Sequence, residues 1–333
     1  MAAHSTHQTS LLARAGWPWA GALLLGFLFA LLAPWAHAAA NSPRVIDVGI
    51  YLNNIPSISL KEKKFQVDFV VWFRWTGDDI NPVETFSIFN GHIDAKDGII
   101  TKKIGDTRYA SAHVEATIFR NFDVAHYPLD SQTLKIQIED SKSDGRLVSF
   151  KPDKDNTNVS SKITVPGWGV GKFDSYGSIT SYKTNYGDLS LARNAEAQIP
   201  RYTFSIDMKR SGHGYFLKYF SMLFLAAALT LAGFAISSDL IDSRFFLSTS
   251  AIFMAAITGG SLGTSLPETD EFGMGDQLYH MTMALIFAAT LIFIHLHKAS
   301  HADPGRADKL SVRWGVGLAL GYVAACWGVV TIR

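Results

Sequence analysis

Residues 202–238 read YTFSIDMKRSGHGYFLKYFSMLFLAAALTLAGFAISS, and two unlike patterns meet inside them. From Tyr202 to Met208 the apolar side chains Tyr202, Phe204, Ile206 and Met208 take every second place against Thr203, Ser205 and Asp207, the repeat of a strand with one buried face. The basic pair Lys209-Arg210 ends that pattern. From Tyr219 to Ser238 no acidic or basic side chain occurs, over about the 20 residues that a helix needs to cross a bilayer. A strand-building half therefore gives way to a membrane half close to Arg210.

Working upstream, the period of two recurs in Phe65, Val67, Phe69, Val71 and Phe73 against Gln66, Asp68, Val70, Trp72 and Arg74. Shorter runs follow the same rule at Val45 to Leu52, Ala112 to Phe119, Thr133 to Ile138 and Leu147 to Phe150, with Gly, Pro, Asn and Asp between them. Many short strands with turn signals predict a sandwich or barrel. Residues 1–38 predict a secretory signal, with Arg14 before an apolar run from about Ala20 to Leu32 and cleavage after Ala38; a first membrane anchor is the alternative. Both readings export residues 39–210.

Downstream, three further charge-poor stretches follow, Phe245 to Leu266, Gln277 to His297 and Trp314 to Ile332. Irregular backbone cannot face lipid, so all four are predicted helices. Lys298, Arg306, Lys309 and Arg313 surround one connection, whereas Glu268, Asp270, Glu271 and Asp276 occupy the connection before it with no basic residue. The excess of Lys and Arg places the former in the cytoplasm and the latter outside. With the exported strands this puts the N-terminal domain and the C-terminus on the outer side of the membrane.

The 333 residues carry 30 Lys+Arg against 29 Asp+Glu, a formal charge of +1, with no basic stripe for nucleic acid. One cysteine, Cys326, excludes an intramolecular disulfide and a Cys-rich metal site. Gly167-Trp168-Gly169-Val170-Gly171 reads as a loop, since no helix follows to receive phosphate. His295, His297 and His301 lack carboxylate or Cys partners and read as interfacial side chains. No nucleophile, base and oxyanion set assembles, which argues against an enzyme, and no cofactor or metal is called for.

Several motifs together resemble the pentameric ligand-gated ion channel (Cys-loop receptor) superfamily, in a bacterial form without the disulfide. Phe122-Asp123-Val124-Ala125-His126-Tyr127-Pro128-Leu129-Asp130-Ser131-Gln132 is similar to the signature loop. Trp72-Phe73-Arg74-Trp75 with Asp78, Asn81-Pro82, Lys209-Arg210 before Gly214-Tyr215-Phe216-Leu217, Arg244 and Leu266-Pro267 follow in the order of that family. Arg120 and Leu134 stand where its two cysteines would be. The resemblance implies an all-β, immunoglobulin-like extracellular sandwich of about ten strands, then a four-helix transmembrane domain over 211–333. It implies a homopentamer of identical subunits in a lipid bilayer, opened by a small-molecule or proton agonist, and no nucleic-acid partner.

The site residues follow from laying these residues on that plan. Phe245 to Leu266 is uncharged but interrupted by hydroxyls, which suits a wet lining, and one face at helical spacing holds Phe246, Ser250, Phe253, Ile257, Gly260, Ser261 and Thr264. Phe253 and Ile257 are expected to gate by dewetting, and Asp242 with Glu268 to favour monovalent cations. Pro128, Asp130, Arg210 and Pro267 are expected to couple the domains, through an Asp130–Arg210 pair and a Pro128 tip on the Pro267 loop. Trp72, Arg74, Phe86 (or Phe89), Glu139, Tyr182 and Tyr186, with Asp140 and Arg193 nearby, are expected to hold an amine or small zwitterion between subunits. The rival readings are a membrane-anchored periplasmic sensor that does not conduct, which Phe246 at the narrow end would permit, and a membrane-bound hydrolase.

Overall fold

The computed structural model describes residues 43–333 apart from 141, 188, 190, 191, 193, 269–271, 332 and 333. The expected signal segment and Arg193 therefore lie outside the described residues, as do Asp270 and Glu271 of the acidic connection. Ten strands are followed by four long helices. The strands are β1 (Arg44–Ser59), β2 (Lys64–Thr76), β3 (Ser87–Ile88), β4 (Gly91–Ile104), β5 (Thr107–Phe119), β6 (Ser131–Glu139), β7 (Val148–Pro152), β8 (Asn158–Val159), β9 (Trp168–Tyr182) and β10 (Ala197–Arg210). One turn of helix, α1 (Pro82–Thr85), opens on Pro82, where a missing N–H costs nothing.

Two sheets pack face to face. One runs β4-β5-β2-β1-β7, with β8 also paired to β1; the other runs β3-β6-β10-β9. Strand β2 shows why they stack: Phe65, Val67, Phe69, Val71, Phe73 and Trp75 are all buried, while the residues between them are not. They meet Leu134, Ile136, Ile138, Tyr202, Phe204, Ile206 and Met208 from the second sheet in one apolar core. The fold is an all-β sandwich joined to a four-helix bundle, as the alternating and charge-free patterns require. The glycine-rich stretch after Val165 is corrected: Gly167 sits in a turn at φ +80°, but Trp168 onward is the long strand β9.

The helices are α2 (Gly212–Ala232), extended by a tight turn at Gly233–Ala235, then α3 (Ile241–Ser265), α4 (Met274–Ser300) and α5 (Pro304–Thr331). Each has the length and apolar character of a bilayer span, which makes the chain a multi-pass membrane protein. Their starts correct the expected ones. Helix α2 begins seven residues before Tyr219 and α5 ten before Trp314, so Arg306, Lys309 and Arg313 ride on the first turns of α5 rather than in a loop. Leu262, Tyr215, Tyr219, Leu266 and Tyr279 of the bundle pack into the sandwich core, so the two parts share apolar contacts.

Candidate functional site

Four groups of side chains carry the chemistry: an outward patch on each of the two sheets, a junction between sandwich and bundle, and the open face of α3.

On the four-stranded sheet, β6, β10 and β9 bring Glu139, Arg201 and Tyr182 together. Arg201 Nε donates to Glu139 Oε1 at 2.7 Å, its Nη2 donates to the Tyr182 hydroxyl at 2.8 Å, and that hydroxyl donates to Glu139 at 2.9 Å. The Arg201 guanidinium lies 4.0 Å from the Phe89 ring centre, and Tyr186 stands edge-on to Tyr182 at 5.7 Å. Burial and the hydrogen bond to Glu139 push the Tyr182 hydroxyl above its ordinary pKa, so it stays a donor at neutral pH. The structure separates the alternatives Phe86 and Phe89 and seals Asp140. Phe86 is buried and packs on Phe73, because the turn after α1 points it into the core, and Phe89 takes the outward place. Asp140 is also buried, accepting the Ser143 hydroxyl at 2.6 Å.

On the six-stranded sheet, Trp72 and Arg74 point outward from β2. Trp72 Nε1 donates to Asp153 Oδ2 at 3.0 Å, and Arg74 pairs with Asp153 at 3.1 Å and Asp47 at 3.4 Å. The indole lies flat because its cross-strand partner is Gly49: a Cβ there would sit 2.3 Å from the ring. This patch and the Tyr182 patch decorate opposite faces of one sandwich. A single chain therefore does not bring the six expected ligand residues together.

The junction is built around Arg210, the last residue of β10. Its Nε donates to Asp130 Oδ1 at 2.7 Å, and both side chains are nearly sealed, at 8% and 3% exposure. Rings of Trp168, Tyr127 and Tyr215 surround the guanidinium at 4.1, 4.9 and 5.4 Å. Asp130 also accepts from Gln132 at 3.0 Å, and Tyr127 is held above its ordinary pKa by burial and its contact with Tyr215. The signature loop meets the bundle through Met274, whose N–H donates to the Ala125 carbonyl at 2.7 Å; Pro128 and Pro267 are each buried. Lys61, on the turn between β1 and β2, donates to the carbonyl of Gly263 at 2.5 Å. That carbonyl lies in the last turn of α3, where helical carbonyls run out of intrahelical donors and a cation suits the dipole.

Helix α3 turns Arg244, Ser248, Ala251, Ala255, Thr258 and Leu262 toward its neighbours. The opposite sector holds Phe246, Phe253 and Ile257, which are 71%, 68% and 61% exposed, together with Gly260 and Thr264. Ser250 and Ser261 fall at its edge, half-buried, and Thr249 is on it. Ser250 donates to the Phe246 carbonyl at 2.9 Å, Ser261 to that of Ile257 at 3.0 Å, and Thr264 to that of Ser261 at 3.0 Å. With the proton spent on the backbone, each hydroxyl offers the open side only acceptor lone pairs. Asp242 and Glu268 are exposed at the two ends. Arg201 is the contact that the expected site residues omit, although strand alternation places it outward; Lys61 to Lys64 of the first hairpin are expected among the charges of the contact layer, and Lys61 is the one that reaches α3.

No family model matches the chain. It is 24% identical over 250 residues to the gamma-aminobutyric acid receptor subunit pi of Bos taurus, which covers 74% of this chain and 54% of that protein. The Mus musculus and Rattus norvegicus proteins of the same name match over the same extent at 24% and 23% identity. The chain thus spans about half the length of the curated relatives it matches. This distant likeness, over a sandwich followed by four apolar helices, supports a relation to the pentameric ligand-gated channel superfamily.

Proposed function

We propose that the chain is the subunit of a homopentameric ligand-gated channel that prefers cations. The observation that carries the reading is the Lys61–Gly263 bond: a sandwich with two ligand-type patches grips α3, the helix whose open face carries Phe246, Phe253 and Ile257 beside hydroxyl oxygens left as acceptors. In a ring of five, the Tyr182 patch of one subunit faces the Trp72 patch of the next. Glu139 is already paired with Arg201, so the rings of Tyr182 and Tyr186 carry the attraction on this side, and on the neighbour Asp47 and Asp153 outnumber Arg74, so an amine, alone or as part of a small zwitterion, fits best. A ligand that binds the open arrangement more tightly shifts the population toward it, and the junction carries the shift to α3. Phe253 and Ile257 form the dewetting constriction; Asp242 and Glu268 raise the local cation concentration at the two mouths. No reaction is assigned.

In this reading the chain crosses a bacterial inner membrane four times, with the sandwich in the periplasm. The sensor reading keeps one specific support, Phe246, whose five rings would narrow the far mouth. Ion flux through the purified chain in liposomes, over a panel of amino acids and amines from acid to neutral pH, tests the proposal. Gated flux is expected, with Tyr182→Ala and Trp72→Ala each raising the half-activating concentration about tenfold or more, as loss of an aromatic anchor does. Binding without flux across the panel, also in Phe246→Ala, overturns the channel in favour of the sensor.

A further inference from the structure

The end of the bundle away from the sandwich holds a second sealed arginine, with no part in the mechanism above. Arg244 on α3 is fully buried, two residues from the exposed Asp242. Its Nη2 donates to the Ile236 carbonyl at 2.5 Å, to Ser311 Oγ at 2.9 Å and to Ser238 Oγ at 3.2 Å, and the guanidinium lies 5.0 Å from the Phe293 ring centre. Nε and Nη1 have no acceptor among the described residues, so the polar hold on this side chain runs through Nη2 alone.

The acceptors are themselves fixed. Ser311 donates its hydroxyl proton to the Phe234 carbonyl at 2.8 Å, which leaves its lone pairs for Arg244. Asp308 accepts the Ser238 N–H at 2.7 Å and so anchors the turn that carries Ser238. Helix α5 comes this close because of Gly315, where a Cβ would stand 2.7 Å from that of Phe234. Ala307, Ser311 and Gly315, the buried residues of α5, form one strip along this contact. The seam of a helix that contributes nothing to the open face of α3 is thus spent on holding a positive charge behind it.

We propose that Ser311 of α5, helped by Ser238, is a selectivity-positioning residue: it keeps Arg244 behind the pore helix and leaves the Asp242 carboxylate uncompensated at the far mouth. The inference rests on the channel reading. Released from its acceptors, the long arginine arm reaches water at that mouth, where five positive charges cancel five carboxylates and raise the energy of a passing cation.

The test is the reversal potential of the full chain in liposomes under a sodium chloride gradient. Ser311→Ala is expected to lower the sodium-to-chloride permeability ratio severalfold, while Ser311→Thr, which keeps the acceptor, preserves it. Arg244→Gln is expected not to lower the ratio, and in Ser311→Ala/Arg244→Gln the ratio returns to that of Arg244→Gln. If Ser311→Ala fails to assemble, Ser238→Ala removes the second acceptor and carries the same expectation. A wild-type ratio in an assembled alanine variant overturns the proposal, as does a double variant that stays as low as Ser311→Ala; both leave the channel reading standing. A wild-type chain that passes no ions overturns that reading and this inference with it.

Discussion

Arg210 and Arg244 are both sealed from solvent and both lie against aromatic rings, yet they are held by opposite means. Arg210 has a carboxylate at 2.7 Å and rings on three sides. Arg244 has a carbonyl, two hydroxyls and one ring in direct contact, with Asp308 and Asp239 acting on it only from beyond hydrogen-bond distance and two donor nitrogens left over. A buried ion pair is costly to break because one charge is stranded, whereas a charge held by dipoles through one nitrogen is released by small changes. The junction that must transmit force is therefore the stiff one, and the mouth that must keep a charge out of the ion path is held more lightly.

The largest effect expected from that contrast is at the stiff end. Asp130→Asn leaves Arg210 buried without its counter-charge, a loss of about 3–5 kcal/mol for a broken buried pair. Denaturation of the purified chain in detergent measures it, and a loss under about 1 kcal/mol would place the pair among those that contribute little. The matching substitution at the other arginine reverses the expectation. Arg244→Met removes two unsatisfied donors along with three modest hydrogen bonds, so its net change lies within about 1 kcal/mol of zero. Were Arg244→Met as damaging as Asp130→Asn, the two arginines would not differ in kind.

How much of this was legible in sequence differs strand by strand. Strand β2 was plain, because one of its faces is wholly buried and the other is not. Strands β4 and β9 were missed; both sit at sheet edges and are exposed along nearly their whole length, so no hydrophobic repeat marks them. Phe86 and Phe89 were both in view, but the turn after α1 resets the alternation between them, and only the backbone decides which one faces out. Helical spacing picked out Phe246, Phe253, Ile257, Gly260 and Thr264 of α3, which are exposed, but it left out Thr249, Ile252, Ala256 and Gly263, which are exposed too, because the period gives a direction and not the width of the open sector. The basic run Lys61 to Lys64 was expected in the contact layer without its partner, whereas Ser311 had no signal, since it acts on a residue 67 positions away.

A smaller effect is expected at Lys61, whose ammonium sits on the C-terminal carbonyls of α3 in an exposed position. Lys61→Met removes a charge–dipole contact worth about 0.3–1 kcal/mol, so stability scarcely changes. Because the contact joins the two parts of the chain, the half-activating ligand concentration should still move by a few-fold. An unchanged dose response would confine transmission to the Arg210 side of the junction.

The smallest effect lies far from either arginine, on the outward face of the six-stranded sheet, where His113 bridges two acids. Its Nε2 lies 2.8 Å from Asp68 and its Nδ1 3.0 Å from Asp97, while Asn53 donates to Asp68 at 2.9 Å. Hydrogen bonds to Asp68 and then Asp97 raise its pKa above the ordinary 6.5, because both ring nitrogens must carry protons to satisfy both carboxylates. A raised value in the folded chain means stability that is fully present below the unfolded pKa and is lost as pH climbs through the folded one. The melting temperature of the wild type, relative to His113→Gln, should therefore rise on acidification through that window and level off below it. Parallel melting curves would mean that the bridge closes equally well with a neutral ring. The side chain is too exposed for the gain to approach that at Asp130, so a large His113 effect would mean that light, solvent-screened contacts rival the sealed pair, and the contrast between the two arginines would lose its basis.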